Sequence, residues 1–171
     1  SEPWKVTLVD TGLNAQTGCR IKRIQKYIGD ESFMLTYGDG VSDVDLSALI
    51  AAHEKKKGQA LVTMTAIQPG GRFGVLDIES STNEVSRFVE KAKEDGGWIN
   101  GGFMVVEPGV FDYLRDSDEC VFETKPLETI ARSGGLHAYK HTGFWQCMDT
   151  QRDKGRLESL WSMGSAPWKL W

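Results

Sequence analysis

The feature that most constrains the fold is an alternation of short apolar runs with segments whose apolar residues recur at helical spacing. Phe33-Met34-Leu35-Thr36-Tyr37 is a continuous apolar run, the mark of a strand covered on both faces. Leu61 to Ile67 repeats the pattern. Between them Leu46, Leu49, Ile50 and His53 fall on one helical face. Ser42 or Asp43 is the expected cap of that helix, and Lys55-Lys56-Lys57-Gly58 ends it with cations at the negative end of the dipole. Upstream, Val6-Thr7-Leu8-Val9 reads as a strand closed by Asp10-Thr11-Gly12. Ile21, Ile24 and Ile28 then mark a helix that stops at Gly29-Asp30.

The second half continues in the same way. Arg72 to Ile78 and Val85 to Glu90 form a hairpin pattern around the polar turn Glu79-Ser80-Ser81-Thr82-Asn83. Ile99 to Val106 reads as a strand interrupted by Gly101-Gly102, and Val110, Phe111 and Leu114 begin a helix after Pro108-Gly109. Pro126 opens a helix carrying Leu127, Ile130 and Ala131, which Gly134-Gly135 terminates. Leu136 to His141 is a short strand. Thr150 caps a last helix, with Asp153 three residues on and Leu157, Leu160 and Trp161 on its inner face. Strands alternating with helices predict an α/β protein. The expected architecture is a Rossmann-like, mixed, mostly parallel sheet flanked by helices, with one β-hairpin insertion, in a single domain over residues 1–171.

Composition narrows the function classes. Twenty Lys and Arg against 24 Asp and Glu give a net charge of −4, which leaves no basic excess for the phosphates of a nucleic acid. No apolar run approaches a membrane span, and the first residues show no basic region followed by an apolar stretch. Cys19, Cys120 and Cys147 are an odd number at wide spacing, neither a disulfide framework nor a zinc pattern. A cytoplasmic setting is expected.

The chemistry-bearing residues sit at the ends of the apolar runs. Tyr37-Gly38-Asp39-Gly40 reads either as a tight turn or as a ligand loop, because glycine on both sides admits close approach to the backbone. An Asp at the carboxyl end of a strand suits Mg²⁺, which takes one or two carboxylates and completes its shell with phosphate oxygens. Asp149 directly precedes a helix; it reads as a cap or as a second metal carboxylate. Asn100-Gly101-Gly102 reads as a bulge or as backbone against a ligand, with the Asn100 amide available to sugar hydroxyls. Glu90-Lys91 is either a solvated strand end or an acceptor for hydroxyls beside a cation for phosphate. Thr17-Gly18-Cys19-Arg20 precedes helical spacing and offers amides and a guanidinium to an anion. His53, on an apolar helical face, reads as a satisfied buried histidine.

Together these motifs resemble, in order, those of glucose-1-phosphate cytidylyltransferases, a group of the sugar nucleotidyltransferases. The matching stretches are residues 6–12, Thr17-Gly18-Cys19-Arg20-Ile21-Lys22-Arg23, Tyr37-Gly38-Asp39-Gly40 with Asp43, and Gly71-Arg72-Phe73-Gly74. They continue with Asn100-Gly101-Gly102-Phe103, Gly143-Phe144-Trp145-Gln146-Cys147-Met148-Asp149-Thr150 with Arg152-Asp153, and Ala166-Pro167-Trp168-Lys169. The resemblance implies transfer of a cytidylyl group from CTP to glucose 1-phosphate, by in-line attack with loss of pyrophosphate and with Mg²⁺ as cofactor. Residue by residue, it implies that Asp39 and Asp149 hold the metal. Thr17, Gly18, Gly38 and Arg20 lie on the nucleotide side. Glu90, Lys91, Asn100 and Gly101 hold the sugar phosphate, with Trp145 in the substrate site and Lys91 and Arg20 as the catalytic cations.

Two departures qualify the expectation. Nothing in the sequence matches the family's Gly-Gly-x-Gly-Thr-Arg-Leu triphosphate loop, and Glu90-Lys91-Ala92 stands where Glu-Lys-Pro is usual. The chain then corresponds to the C-terminal two-thirds of such an enzyme and is expected to be weakly active or inactive alone. Each missing electrostatic contact is worth about 2–4 kcal/mol of barrier. A homo-oligomer is expected to cover an exposed sheet edge. The Trp-rich end (Trp161, Trp168, Trp171) either joins that interface or packs back on the domain. The alternatives to an enzyme are a non-catalytic sugar-phosphate or nucleotide-sugar binding module and a structural, oligomer-forming fragment.

Overall fold

A computed structural model describes residues 3–68, 75–89 and 97–170. Its centre is β3 (Val62–Ile67), a strand buried at every position. That burial is what the apolar run predicts, and it arises because β3 has a neighbour on each edge and a layer on each face. It pairs antiparallel with β6 (Ile99–Val106) and parallel with β7 (Leu136–Lys140), while β1 (Phe33–Leu35) adds to the far side of β6. The sheet order is β1-β6-β3-β7.

On one face Val62, Met64 and Ala66 join a continuous apolar cluster. That cluster includes Ile21 of α1 (Thr17–Arg23), Val110 and Phe111 of the 3-10 helix Pro108–Tyr113, and Phe122. Leu127 and Ile130 of α4 (Lys125–Arg132) complete it from one side, and the hairpin of β4 (Val75–Ile78) and β5 (Val85–Val89) adds Leu76, Val85 and Phe88. On the other face α3 (Leu46–Glu54) buries Leu49 and His53. His53 is fully buried; its Nδ1 lies 2.8 Å from Thr63 Oγ1 and its Nε2 lies 2.9 Å from Glu107 Oε1. It is the satisfied histidine expected, and its bonds hold Glu107 below the usual carboxylate range.

The α/β class, the mixed sheet and the hairpin stand as expected. The strand directions need correction. β1, β3 and β7 run one way and only β6 is reversed, yet β6 lies between β1 and β3, so two of the three pairings are antiparallel. The cause is the connection. The chain leaves β3 through the β4–β5 hairpin rather than a helix, and re-enters beside β3 in the opposite sense. The reversed strand also carries a bulge: Met64 faces Met104 but Ala66 faces Asn100, so Gly101-Gly102 is accommodated as extra backbone.

Local expectations fare unevenly. The last helix, α5 (Gln151–Ser162), opens with a complete Thr150–Asp153 capping box, and α4 carries Pro126 in its first turn. Residues 6–9 form no strand; Val6 and Leu8 are largely exposed, and no described strand offers them a ladder. Met34 in β1 is 45% exposed, so that strand is covered on one face only. The helix predicted around Ile21, Ile24 and Ile28 breaks at Ile24 into α1 and α2 (Gln25–Ile28). Asp45, not Ser42 or Asp43, caps α3, accepting from Ala48 N at 2.9 Å, and Leu46 and Ile50 face outward. The segment after Pro108 is a single 3-10 helix. Trp168 packs back on Phe144, ring centroids 5.3 Å apart. Trp161 instead points out, with Lys169 Nζ 4.9 Å from its ring.

Two measurements check this description. Phe122→Ala empties a fully buried site in the main cluster and is expected to cost about 3–5 kcal/mol in urea denaturation. His137, buried in β7, has its pKa lowered first by burial and then by the charge of Lys56. The unfolded chain therefore binds a proton there before the native one does. Stability is expected to be complete above the unfolded histidine value of about 6.5 and to fall as pH drops below it. His137→Leu is expected to flatten that slope in denaturation curves taken across pH 5–7.

Candidate functional site

A two-stranded ladder separate from the main sheet places Asp39 just before one strand and Asp149 just after the other. β2 (Gly40–Ser42) pairs antiparallel with β8 (Trp145–Cys147), Gly40 opposite Cys147, and Met148 N donates to Asp39 O at 2.8 Å. Asp39 and Asp149 thus emerge from the same end of the ladder, and both are exposed. Asp149 is not the helix cap. The Thr150 hydroxyl accepts from Asp153 N at 3.2 Å, and Asp153 Oδ2 accepts from Thr150 N at 3.0 Å. That closed box leaves the Asp149 carboxylate outside it. Burial, followed by the neighbouring Asp149 carboxylate, pushes the Cys147 thiol up to about 11. Burial likewise raises Cys19. Both are therefore protonated at neutral pH, which argues against thiolate chemistry.

At the other end of the same ladder Trp145 sits opposite Ser42 and donates from Nε1 to Gly101 O at 2.8 Å. This bond ties the carboxylate ladder to the bulged strand. Gly101 is buried, and a Cβ there would lie 3.0 Å from Thr65 O. Gly102 has φ +87°, and a Cβ would lie 2.9 Å from the Tyr37 ring. Beside Trp145 is a cavity of about 180 Å³ lined by Ile67, Gln68, His141, Thr142 and Gly143. Ser42 and Asp43, freed from capping α3, turn to its wall: His141 Nε2 lies 2.9 Å from Asp43 Oδ1 and 3.3 Å from Ser42 Oγ.

The α1 segment is arranged differently from the anion cradle read in the sequence. Cys19 N donates to Cys120 O at 3.1 Å. Gly18 is glycine because residue 120 crosses it; a Cβ would lie 2.8 Å from Cys120 Sγ and 2.9 Å from its carbonyl oxygen. Arg20 is exposed and donates to Thr11 Oγ1 at 2.8 Å and to Leu13 O at 3.2 Å, holding the preceding loop. Residues 118–123, which take up the Cys19 amide and the Thr17 hydroxyl, lie a hundred residues away in sequence. Gly38, in contrast, faces open space. Glu90, Lys91 and the 71–74 motif lie outside the described residues.

Sequence reasoning missed Glu123. Its Oε2 accepts from Thr17 Oγ1 and its Oε1 from Tyr37 Oη, both at 2.5 Å. Asn100 Nδ2 donates to Tyr37 Oη at 3.1 Å, and Asn100 Oδ1 accepts from Gly102 N at 2.9 Å. No local signal marks Glu123, which reads as part of a helix approach; its partners are 106 and 86 residues distant. The Asp43–His141 contact was missed for the same reason.

The chain belongs to the nucleotidyl transferase family, whose model matches residues 10–166. It is 53% identical over 171 residues to the glucose-1-phosphate cytidylyltransferase of Salmonella typhi, covering 99% of this chain and 65% of that relative. It therefore spans a little under two thirds of that relative's length. It is 31% identical over 124 residues to mannose-1-phosphate guanylyltransferase 1 of Arabidopsis thaliana, covering 72% of this chain and 34% of that protein. The fold is shared with HddC from Yersinia pseudotuberculosis (TM-score 0.66, 24% identity, 82% of this chain and 60% of that one). A Bacillus anthracis structure named as a candidate glucose-1-phosphate thymidylyltransferase shares it too (TM-score 0.73, 18% identity, 85% and 61%). Among the described residues no helix is long and apolar enough to cross a membrane.

Gly102→Ala tests the joint between Tyr37 and the bulge. A methyl group at positive φ against the ring is expected to cost about 1–3 kcal/mol. Thermal denaturation measures the loss, and displacement of Tyr37 from Glu123 is expected with it.

Proposed function

We propose that this chain is the metal- and sugar-phosphate-binding portion of an enzyme that joins CTP to glucose 1-phosphate, giving CDP-glucose and pyrophosphate. The observation that carries the reading is 53% identity over 99% of the chain to a relative of that name. It gains support from the geometry: Asp39 and Asp149 flank the β2–β8 ladder, and Trp145 of that ladder bonds the Gly101 carbonyl. Asp39 and Asp149, both exposed at one end of the ladder, supply the proposed two-carboxylate donor set. Such a set suits Mg²⁺, whose remaining positions go to phosphate oxygens. When bound, the ion neutralises phosphate charge.

The chain's own residues do the rest of the positioning. The Asn100 amide and the Gly101 backbone receive the hexose hydroxyls, and the Trp145 indole walls the site. Glu90 accepts from a sugar hydroxyl, and Lys91 meets the sugar phosphate. The open space at Gly38 admits the nucleotide. Thr17, Gly18 and Arg20 shape that side through the loops they hold. A phosphate oxygen of the sugar phosphate attacks the α-phosphorus of CTP, and the bond to the β-phosphate oxygen breaks. No stretch of the sequence matches the Gly-rich triphosphate loop, and the chain alone is proposed to bind with weak or no turnover. A cytoplasmic setting and a homo-oligomer, using the exposed Val6 and Leu8, belong to the same proposal.

Thermal denaturation with and without Mg²⁺ plus CDP-glucose tests it. A ligand that binds only the native chain adds about 2.7 kcal/mol at a hundredfold excess over its Kd. Asp39→Asn and Asp149→Asn, both at exposed positions, are expected to keep the unliganded midpoint and lose the Mg²⁺-dependent part of the rise. No shift at millimolar ligand overturns the binding reading. Concentration-dependent self-association without ligand affinity is the result expected of a structural fragment.

A further inference from the structure

We infer that Glu123 is a positioning residue for the sugar-phosphate wall: its carboxylate takes the Tyr37 hydroxyl proton, leaves the Tyr37 oxygen as an acceptor for Asn100, and so locks the Asn100 amide in one orientation. The inference rests on the reading that Asn100 and Gly101 receive the sugar phosphate.

An ionised carboxylate only accepts hydrogen bonds. Both hydroxyls that reach Glu123, Thr17 Oγ1 and Tyr37 Oη at 2.5 Å, must therefore donate. A phenol has a single proton, so toward Asn100 the Tyr37 oxygen can only accept. The amide must present Nδ2 there, at 3.1 Å. Its Oδ1 then falls on Gly102 N–H at 2.9 Å. Turning the amide over would set oxygen against a protonless phenol oxygen and nitrogen against a backbone N–H, losing both bonds. The Thr17 side obeys the same polarity, since its hydroxyl donates to Glu123 and accepts from Phe122 N at 2.9 Å. Bonds to a charged acceptor are the stronger kind, and Glu123 and Tyr37 are half-buried, where screening is weaker.

A locked amide has one free N–H and one free carbonyl lone pair in fixed order. That is the pattern that reads a pair of adjacent sugar hydroxyls, one accepting and one donating. An amide free to turn over reads the same pair with lower affinity and without preference for direction. Glu123 thus acts on the sugar through two intermediates while touching none of it.

The test uses the full chain, ¹⁵N-labelled, as wild type, Tyr37→Phe, Glu123→Leu, Glu123→Gln and the Tyr37→Phe/Glu123→Leu double variant. Two quantities are read: the Asn100 side-chain NH₂ resonances without ligand, and the Kd for glucose 1-phosphate. Tyr37→Phe and Glu123→Leu are each expected to shift the Asn100 resonances, speed their exchange with water and weaken binding about tenfold. The double variant is expected to be no weaker than the worse single one, because both break the same chain. Glu123→Gln, which keeps an acceptor for Tyr37, is expected to lose less than Glu123→Leu. Unchanged Asn100 resonances in Tyr37→Phe, or additive losses in the double variant, overturn the inference. Tyr37→Phe removes one oxygen and keeps the test decisive if Glu123→Leu does not fold. Absence of glucose 1-phosphate binding by the wild-type chain overturns the functional reading instead, and the ligand-free resonances still judge the lock.

Discussion

The structure depends on β3 having a partner on both edges and a cover on both faces. Val62, Met64 and Ala66 sink into the main apolar cluster while Thr63 and Thr65 face α3, and none of the six residues is exposed. A strand enclosed in this way has its register fixed, because a one-residue slip would exchange the apolar set for the threonines. His53 reinforces the register by bonding Thr63 of β3 and Glu107 just beyond β6. With β3 held, β6 must run beside it. Its Gly101-Gly102 bulge then falls where Tyr37 and Trp145 arrive from other parts of the chain.

That arrival makes the proposed site a composite. Asp39 comes from the loop after β1, Asn100 and Gly101 from the bulge, and Trp145 and Asp149 from β8 and the approach to α5. Glu123 comes from the approach to α4. Each segment is short and has little structure of its own. Their relative positions rest on a few directed bonds: Trp145 to the Gly101 carbonyl, Met148 to the Asp39 carbonyl, and the two hydroxyls on Glu123. Directed bonds at part-buried positions specify geometry more sharply than apolar contact, which tolerates sliding. The apolar cluster gives the chain its stability, and this thin polar layer fixes the geometry of the proposed site.

How much of this was legible depends on the range of the interaction concerned. The Thr150–Asp153 capping box, the enclosed β3 run and the hairpin around residues 79–83 are decided by neighbours within a few positions, and all are readable. The bulge at Gly101-Gly102 was readable as an alternative because glycine is costly within a strand unless something demands it. The Val6 to Val9 run carries strand propensity but finds no ladder among the described residues, and propensity without a partner forms no sheet. Met34 and Leu46 look interior by pattern and lie exposed because their elements have one covered face where two or a wider one were inferred.

The sequence by itself determined the α/β alternation, the Thr150–Asp153 capping box, the order of motifs and the residue types available for phosphate chemistry, since these follow from local backbone preference and side-chain chemistry. Only the tertiary structure decided that β6 runs against its neighbours. It also decided that residues 118–123 take up the α1 amide expected to serve an anion, and that Ser42 and Asp43 face His141 instead of capping a helix. Only the folded chain brings Glu123 to Thr17 and Tyr37, across 106 and 86 residues. Those outcomes depend on which distant groups meet once the core has closed, and no local window of sequence contains both partners.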